Sequence, residues 1–160
     1  MRVDVSIAYL DDHLIVADKP SGLLSVPGRA AENQDCVVLR LQALYPDALT
    51  VHRLDMVTSG LLLHARGKAM QVALSGLFER RQVHKRYIAL VEGEMADEAG
   101  EIDLPLRCDW DNRPRQMVDF ELGKRALTRW RLLGHEAGRS RVELEPVTGR
   151  SHQLRLHLAS

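Results

Sequence analysis

The chain lacks several features that mark specialised classes of protein. It has only two cysteines, Cys36 and Cys108, and they lie far apart in no CxxC pattern, which argues against a disulfide framework or a cysteine-based zinc site. No apolar run reaches the roughly 18–20 residues that a membrane-spanning helix requires. The start, MRVDVSIAYLDD, has no basic segment followed by an apolar one. These absences predict a cytoplasmic protein with no membrane partner and with reduced cysteines.

The length and composition are those of one folded domain. The chain has 160 residues, of which 45% are hydrophobic and 28% charged, close to the usual shares in globular proteins. A domain of about 150 residues buries about two-thirds of its unfolded surface. We therefore expect a single domain over residues 1–160 with a substantial core.

Net charge is also absent, because 22 basic residues balance 22 acidic ones. The charges are nevertheless unevenly distributed along the chain. Residues 64–88 hold six basic residues and one acidic residue, residues 89–111 hold one and eight, and residues 112–160 hold ten and five. The two basic blocks are typical of a nucleic-acid-binding face, although a solvated surface explains them equally well.

The hydrophobic pattern predicts more strands than helices. Residues 5–19 alternate in polarity around Asp11-Asp12 and indicate a hairpin, whereas a helix is expected from a cap at Asn33 or Asp35 to Tyr45. A second helix is predicted over 67–80, with Ala69, Val72, Ala73 and Leu77 as its apolar face, and a third begins within 151–159. Further strands are expected at 61–63, 85–92, 101–106, 117–122, 127–133 and 141–147. Without regular βαβ alternation, this order predicts an α+β fold with a mainly antiparallel sheet and flanking helices.

A loop at 52–60, with the sequence HRLDMVTSG, is the first candidate site. It places charged residues between apolar elements, and sites concentrate on loops held by a rigid scaffold. An aspartate next to an arginine is expected to stay ionised. Asp55 is therefore either a nucleophile or the partner in a structural ion pair with Arg53, and the residue types alone do not decide.

A second cluster lies at 149–157, with the sequence GRSHQLRLH. On a helix Ser151 and Arg155 would share a face, as would Gln153 and His157. His152 and His157 are five residues apart and lack the glutamate of HExxH, which argues against a zinc protease. An arginine-rich helix start can hold phosphate, and an ordinary surface helix is the alternative.

A third element, Lys85-Arg86-Tyr87, combines basic residues with an aromatic one on a predicted strand. Tyr87 is either a core tyrosine with a solvated hydroxyl or a platform on which an unpaired base stacks. Both interpretations stand at this point.

Taken in order, these segments resemble the motifs of the RluA family of pseudouridine synthases. The run HRLDMVTSG resembles the family's catalytic motif, Lys85-Arg86-Tyr87 its Lys-x-Tyr, and GRSHQLRLHL its last motif, while Lys19-Pro20-Ser21-Gly22 resembles its N-terminal Lys-Pro-x-Gly. The segments LLSVPGR and CDWDNRPRQ are most similar to the RluA subgroup, which acts on transfer RNA and 23S ribosomal RNA.

The resemblance implies an isomerase that converts uridine to pseudouridine in structured RNA by base flipping, without cofactor or metal. Asp55 would be the nucleophile and Arg155 its partner, Arg53 would fill the space left by the flipped nucleotide, and Tyr87 would contact the base and assist proton removal. The remaining RNA contacts implied are His52, Arg80, Arg81, Lys85, Arg86, Arg150, His152 and Gln153. A nucleotide already in a hairpin loop is the least costly to flip, so the expected partners are transfer RNA and ribosomal RNA stem-loops bound by a monomer.

Two departures from the family leave an alternative open. The family's catalytic domain continues past the position of Ser160, so the resemblance implies that a C-terminal part is missing. We also expect no N-terminal S4 domain, which the RluA subgroup does without. An RNA-binding module or folding helper without turnover is therefore a second hypothesis. A hydrolase using Asp55 and His52 on a small molecule is a third, but it explains neither the basic blocks nor Tyr87.

Overall fold

The computed structural model of the chain describes residues 4–160. The backbone forms two compact units, the first ending at Gln82 and the second beginning at Val83. Each unit contains an antiparallel four-stranded sheet.

The sheet of the first unit has the strand order β1-β2-β4-β3. Its strands are β1 (Ser6–Leu10), β2 (Leu14–Lys19), β3 (Ala48–Thr50) and β4 (Gly60–Arg66). The predicted hairpin is confirmed, because β1 pairs with β2 and the Asp11 carboxylate accepts the backbone N–H groups of His13 and Leu14 in the turn. β2 then pairs along β4 from Leu14 with Ala65 to Lys19 with Gly60. This register brings the end of β2 to the start of β4, where the loop carrying Asp55 joins the sheet.

Two helices, α1 (Val37–Gln42) and α2 (Lys68–Glu79), complete this unit. Neither predicted cap of α1 is correct. Asn33 lies in a 3-10 turn, and the cap is Cys36, whose extended backbone forms a parallel bridge with Leu24. The predicted apolar face of α2 is also wrong except at Leu77, since Ala69, Val72 and Ala73 are exposed. The half-buried apolar side chains of this helix include instead Leu74, Leu77 and Phe78.

The core of the first unit joins the sheet to α1. Its buried side chains are Ile15, Ala17, Leu23, Val37, Leu41, Ala48 and Leu62. Leu54 is partly buried against this cluster. Full burial of a leucine side chain contributes about 1.5–3 kcal/mol. The partly buried Leu54 gains part of this free energy and anchors the loop one residue before Asp55.

The sheet of the second unit has the order β5-β10-β9-β6, and a separate two-stranded sheet pairs β7 with β8. The six strands are β5 (Tyr87–Glu92), β6 (Ala99–Asp103), β7 (Leu106–Cys108), β8 (Gln116–Val118), β9 (Leu127–Glu136) and β10 (Arg139–Pro146). Helix α3 spans Gln153–Ala159 and contacts β8, β9 and β10. Val142 and Leu144 of β10 are buried, as their alternation with charged neighbours predicts.

None of the five strands predicted in this unit has the predicted bounds, and two of them end three or four residues early. The strand expected at 101–106 ends at Asp103, and β7 begins only after Pro105, which has no N–H to donate to a ladder. The strand expected at 117–122 ends at Val118, because the Asp119 carboxylate accepts the N–H groups of Glu121 and Leu122 and closes a turn. The predicted α+β class with mainly antiparallel sheets is confirmed.

Candidate active site

Asp55 is half-buried in the loop between β3 and β4. Its own carbonyl accepts the N–H of Thr58 at 3.0 Å, which makes residues 55–58 a tight turn. Leu54 is anchored in the core on one side of it, and Arg53 beyond Leu54 is exposed. The loop therefore presents the carboxylate from a backbone that is held on both sides.

The segment 19–25 holds this loop from the end of β2. Lys19 is fully buried, and its ammonium donates to the carbonyls of Pro20 at 3.0 Å, Leu23 at 2.6 Å and Met56 at 2.9 Å. All three ammonium hydrogens thus have an acceptor, which is what a buried lysine requires. Met56 directly follows Asp55, so one of these bonds acts on the neighbour of the candidate nucleophile.

Three further residues of the same segment bind the loop. The N–H of Gly22 donates to the Met56 carbonyl at 2.8 Å and the Ser21 hydroxyl donates to the Val57 carbonyl at 2.8 Å. The Ser25 hydroxyl donates to the Leu54 carbonyl at 2.7 Å and accepts the Leu54 N–H at 3.1 Å. Gly22 has φ +87°, a backbone conformation that glycine adopts without strain. The Lys-Pro-Ser-Gly segment therefore holds the backbone of Met56 and Val57, and Ser25 holds that of Leu54.

The electrostatics of Lys19 follow from its position. Burial lowers the pKa of the ammonium from its usual value, and the negative charge of Asp55 partly offsets this by raising the pKa. The Lys19 charge and the Asp55 charge therefore interact favourably within this unit.

His52 has contacts that fix its ring. Its Nε2 accepts the backbone N–H of Leu63 at 3.0 Å, and the ring stacks on Phe78 with centroids 4.5 Å apart and an interplanar angle of 19°. Because a backbone N–H can only donate, Nε2 carries no proton and a neutral ring is protonated at Nδ1. One nitrogen and one ring face are thus engaged within the protein, which weakens the hydrolase hypothesis with His52 as base.

Arg80 and Arg81 follow the end of α2, and both are exposed. The Nε of Arg80 donates to the side-chain carbonyl of Gln82 at 3.0 Å, and Arg81 has the left-handed φ of 57°. Neither makes an ion pair with a carboxylate in the part of the chain that the structure describes. Their charges are therefore available to a polyanion.

In the second unit, Tyr87 begins β5 and pairs with Leu144. Tyr87 is half-buried and Arg86 is exposed. Burial lowers the pKa of Lys85, and its ammonium lies near Gly149, where an added Cβ would be 3.5 Å from Nζ. The predicted Lys-x-Tyr and Gly-Arg-Ser-His-Gln segments thus meet at this point.

Gln153 is 3% exposed at the start of α3, and its amide is fully used inside the protein. Its Nε2 donates to the Leu127 carbonyl and to the Thr128 hydroxyl, each at 3.0 Å. Its Oε1 accepts the Thr148 hydroxyl at 2.7 Å and the Arg150 N–H at 3.0 Å. This burial argues against the predicted RNA contact and gives Gln153 a structural role.

The other residues of the 149–157 cluster lie close to Gln153 in sequence and differ in their burial and contacts. His157 shares the buried face with Gln153, as predicted, and also contacts the Thr128 hydroxyl. Ser151 precedes the helix, so the predicted Ser151 and Arg155 face is wrong. Arg155 is exposed, and Arg150 donates to the Arg125 carbonyl at 3.1 Å while His152 has the left-handed φ of 53°.

The basic block at 112–160 is partly neutralised in the structure. Within residues 4–160, at least four of its ten basic side chains form ion pairs with nearby carboxylates. The pairs are Arg125 with Asp103, Arg129 with Glu101, Arg131 with Glu143 and Arg141 with Glu136. Exposed pairs of this kind contribute little stability, but they reduce the charge that this block presents to a ligand.

Two further features are absent from residues 4–160. No helix there is long and apolar enough to cross a membrane. The same residues contain no group of three or more His, Cys, Asp or Glu side chains that could hold a metal ion.

Comparison with known proteins places these motifs in one family. The family model described as RNA pseudouridylate synthase matches residues 13–160. The dual-specificity RNA pseudouridine synthase RluA of Vibrio cholerae is 52% identical over 156 residues, covering 98% of this chain and 64% of that protein. RluA of Yersinia pestis is 52% identical over 153 residues, covering 95% and 74%.

A solved structure agrees with the sequence relatives. Human RNA pseudouridylate synthase domain containing 1 superposes with a TM-score of 0.78 at 28% identity, covering 96% of this chain and 64% of that one. The chain thus spans somewhat less than two thirds of the Vibrio cholerae and human proteins. With its motifs matched over nearly the whole chain, the protein belongs to the RNA pseudouridylate synthase family.

Proposed function

We propose that the protein isomerises specific uridines to pseudouridine in structured RNA, with Asp55 as the nucleophile. The observation that carries this proposal is the Asp55 loop, whose backbone is held at Leu54, Met56 and Val57 by the segment 19–25. A nucleophile works best when it is held in a near-attack position before the substrate arrives. Membership of the synthase family supports the same assignment.

The chemistry needs a group that forms and releases a covalent bond. The Asp55 carboxylate attacks the target nucleotide, the bond between N1 and the ribose breaks, and the base turns and rejoins the ribose through C5. The bond to Asp55 is released, the proton on C5 leaves to solvent and N1 takes up a proton, so the product is an isomer of the substrate. A covalent intermediate divides one difficult step into easier ones and requires neither metal nor cofactor.

The remaining roles follow the family resemblance. Arg53 occupies the space of the flipped nucleotide, Tyr87 contacts the base and assists removal of its proton, and Arg155 pairs with the nucleophile. The RNA backbone is bound by exposed Arg80, Arg81 and Arg86, by half-buried Lys85 and by the segment around Arg150. Both compact units belong to a single catalytic domain that acts as a monomer in the cytoplasm.

The substrate class comes from the relatives, which are named dual-specificity enzymes. A transfer RNA anticodon stem-loop and a 23S ribosomal RNA hairpin are the proposed substrates, since a base in a loop costs least to flip. Nucleoside chromatography of each RNA after incubation tests this. Pseudouridine in one or both supports the proposal, whereas binding of both RNAs without any pseudouridine would favour an RNA-binding module.

A further inference from the structure

The Ser25 side chain makes two hydrogen bonds to Leu54, which lies in the loop that carries Asp55. Its hydroxyl donates to the Leu54 carbonyl at 2.7 Å and accepts the Leu54 N–H at 3.1 Å, although 29 residues separate the two. Ser25 is 3% exposed. Both backbone groups of Leu54 are therefore satisfied by a single buried oxygen.

These bonds act directly on the orientation of Asp55. The Leu54 carbonyl belongs to the peptide group that joins Leu54 to Asp55. A hydrogen bond to this oxygen therefore fixes the orientation of the peptide plane from which the Asp55 backbone continues. The Leu54 side chain is partly buried against the core cluster. Side-chain packing alone does not determine the rotation of that peptide plane, and the Ser25 hydroxyl restrains it through the carbonyl oxygen.

We infer that Ser25 is a positioning residue for Asp55, one that sets the rate of the chemical step and not the affinity for RNA. This inference rests on the proposed function. It assigns Ser25 no contact with the RNA, because its hydroxyl is buried and committed to Leu54. Misplacement of a reacting group by about 1 Å can cost about 100-fold in rate, so the loss of this bond should appear in turnover.

The second unit offers a matched control in Ser140. Its hydroxyl is also fully buried, accepts the Met95 N–H at 2.9 Å and donates to the Gly93 carbonyl at 2.8 Å. It therefore clamps a backbone segment in the same way as Ser25. No residue of the proposed active site lies at 93–95.

The experiment measures single-turnover conversion with enzyme in excess over an anticodon stem-loop for the parent, Ser25→Ala, Ser25→Cys and Ser140→Ala. RNA dissociation constants and melting temperatures are measured for the same proteins. We expect Ser25→Ala to lower the rate constant about 10- to 100-fold while the dissociation constant changes by less than about threefold. Ser25→Cys has a somewhat larger side chain with a weaker hydrogen-bonding group, so its rate constant should be intermediate. Ser140→Ala should lower the melting temperature and leave the rate constant close to that of the parent.

The possible results separate this inference from the proposed function. A Ser25→Ala rate constant within about twofold of the parent would overturn the positioning role. Equal loss of rate in Ser25→Ala and Ser140→Ala would also overturn it, because the effect would then follow stability alone. If Ser25→Ala does not fold, the rate constant of Ser25→Cys decides in the same way. Absence of conversion by the parent would instead remove the proposed function.

Discussion

The buried ammonium of Lys19 donates a 2.9 Å hydrogen bond to the carbonyl of Met56. This bond joins the end of β2 to the residue that follows Asp55. The N–H of Gly22 donates to the same oxygen at 2.8 Å. The Met56 carbonyl thus accepts two hydrogen bonds from the segment 19–25.

Replacing Lys19 with methionine should destabilise the protein. The change leaves the carbonyls of Pro20 and Leu23 without the ammonium donor and removes one of the two donors to Met56. We expect a loss of about 2 kcal/mol in the free energy of unfolding, since each buried acceptor left unsatisfied costs about 1–3 kcal/mol. Urea denaturation measures it. Lys68→Met, at an exposed lysine whose ammonium donates to the side chain of Gln71, is the control and should change the free energy by less than about 0.5 kcal/mol. Equal effects of the two substitutions would contradict the role of Lys19.

Stability should depend on pH through His64. The ring is fully buried in β4, and neither nitrogen makes a hydrogen bond of good geometry within residues 4–160. Burial lowers the pKa of His64 from 6.5 to about 4, and the backbone of Leu62 offsets only part of this. The unfolded chain therefore binds a proton at His64 as the pH falls below about 6.5, whereas the folded chain binds this proton only near pH 4. The resulting stability is fully present above pH 6.5 and falls as the pH drops, by on the order of 3 kcal/mol at pH 4.

Urea denaturation at several pH values between 7.5 and 4.5 tests this prediction. In His64→Leu the ionisable ring is absent, so the free energy of unfolding should fall less steeply over the same range. Parallel curves for the variant and the parent would show that another group titrates.

Arg80 and Arg81 should contribute to RNA affinity through their charge. Arg80→Gln with Arg81→Asn removes both charges, and asparagine tolerates the left-handed backbone at position 81. We expect weaker binding and a smaller slope of log affinity against log salt, because each lost phosphate contact removes about 0.7–0.9 from the slope. Arg129→Gln with Arg131→Gln is the matched control, since both arginines are ion-paired, with Glu101 and Glu143. An equal change of slope in both double variants would remove Arg80 and Arg81 from the RNA interface.

Gln153 should act on stability and not on RNA binding. Gln153→Leu removes four hydrogen bonds from groups in the second unit, so the free energy of unfolding should fall by about 2–4 kcal/mol. Below the unfolding transition the dissociation constant for RNA should stay within about twofold of the parent. Gln116→Leu, which loses a single bond to the Pro114 carbonyl, is the control for stability. Weakened RNA binding at unchanged stability would restore the original prediction of an RNA contact.

Local sequence patterns predicted most helices and strands but not the residues at which they begin and end. The hairpin of β1 and β2 and strand β10 follow from alternating polarity, which is a property of neighbouring residues. Strand β3 was not predicted because its three residues carry too short a pattern. The cap of α1 depends on a bridge between Cys36 and Leu24, and such a contact cannot be inferred from the residues near the helix.

For the candidate site, too, the sequence predicts the residues that belong to motifs but not those whose role depends on distant contacts. The motifs identify Asp55, Tyr87 and Arg155 because their residue types and order match a family. The function of Lys19, Ser21 and Ser25 depends on bonds to residues 29 to 37 positions away, which composition and periodicity do not reveal. The sequence also places Gln153 within a polar motif, and only the structure shows that its amide is buried.

Tritium release from RNA labelled at C5 of uridine tests most directly whether Asp55 performs the chemistry of uridine isomerisation. An anticodon stem-loop and a ribosomal hairpin serve as substrates for the parent, Asp55→Asn and Asp12→Asn, a control at an exposed turn aspartate. Asparagine keeps the size of the side chain and loses only the nucleophilic charge. Release by the parent and Asp12→Asn, with none by Asp55→Asn despite RNA affinity within about threefold of the parent, is the predicted result. Release by Asp55→Asn at the parent's rate would contradict it.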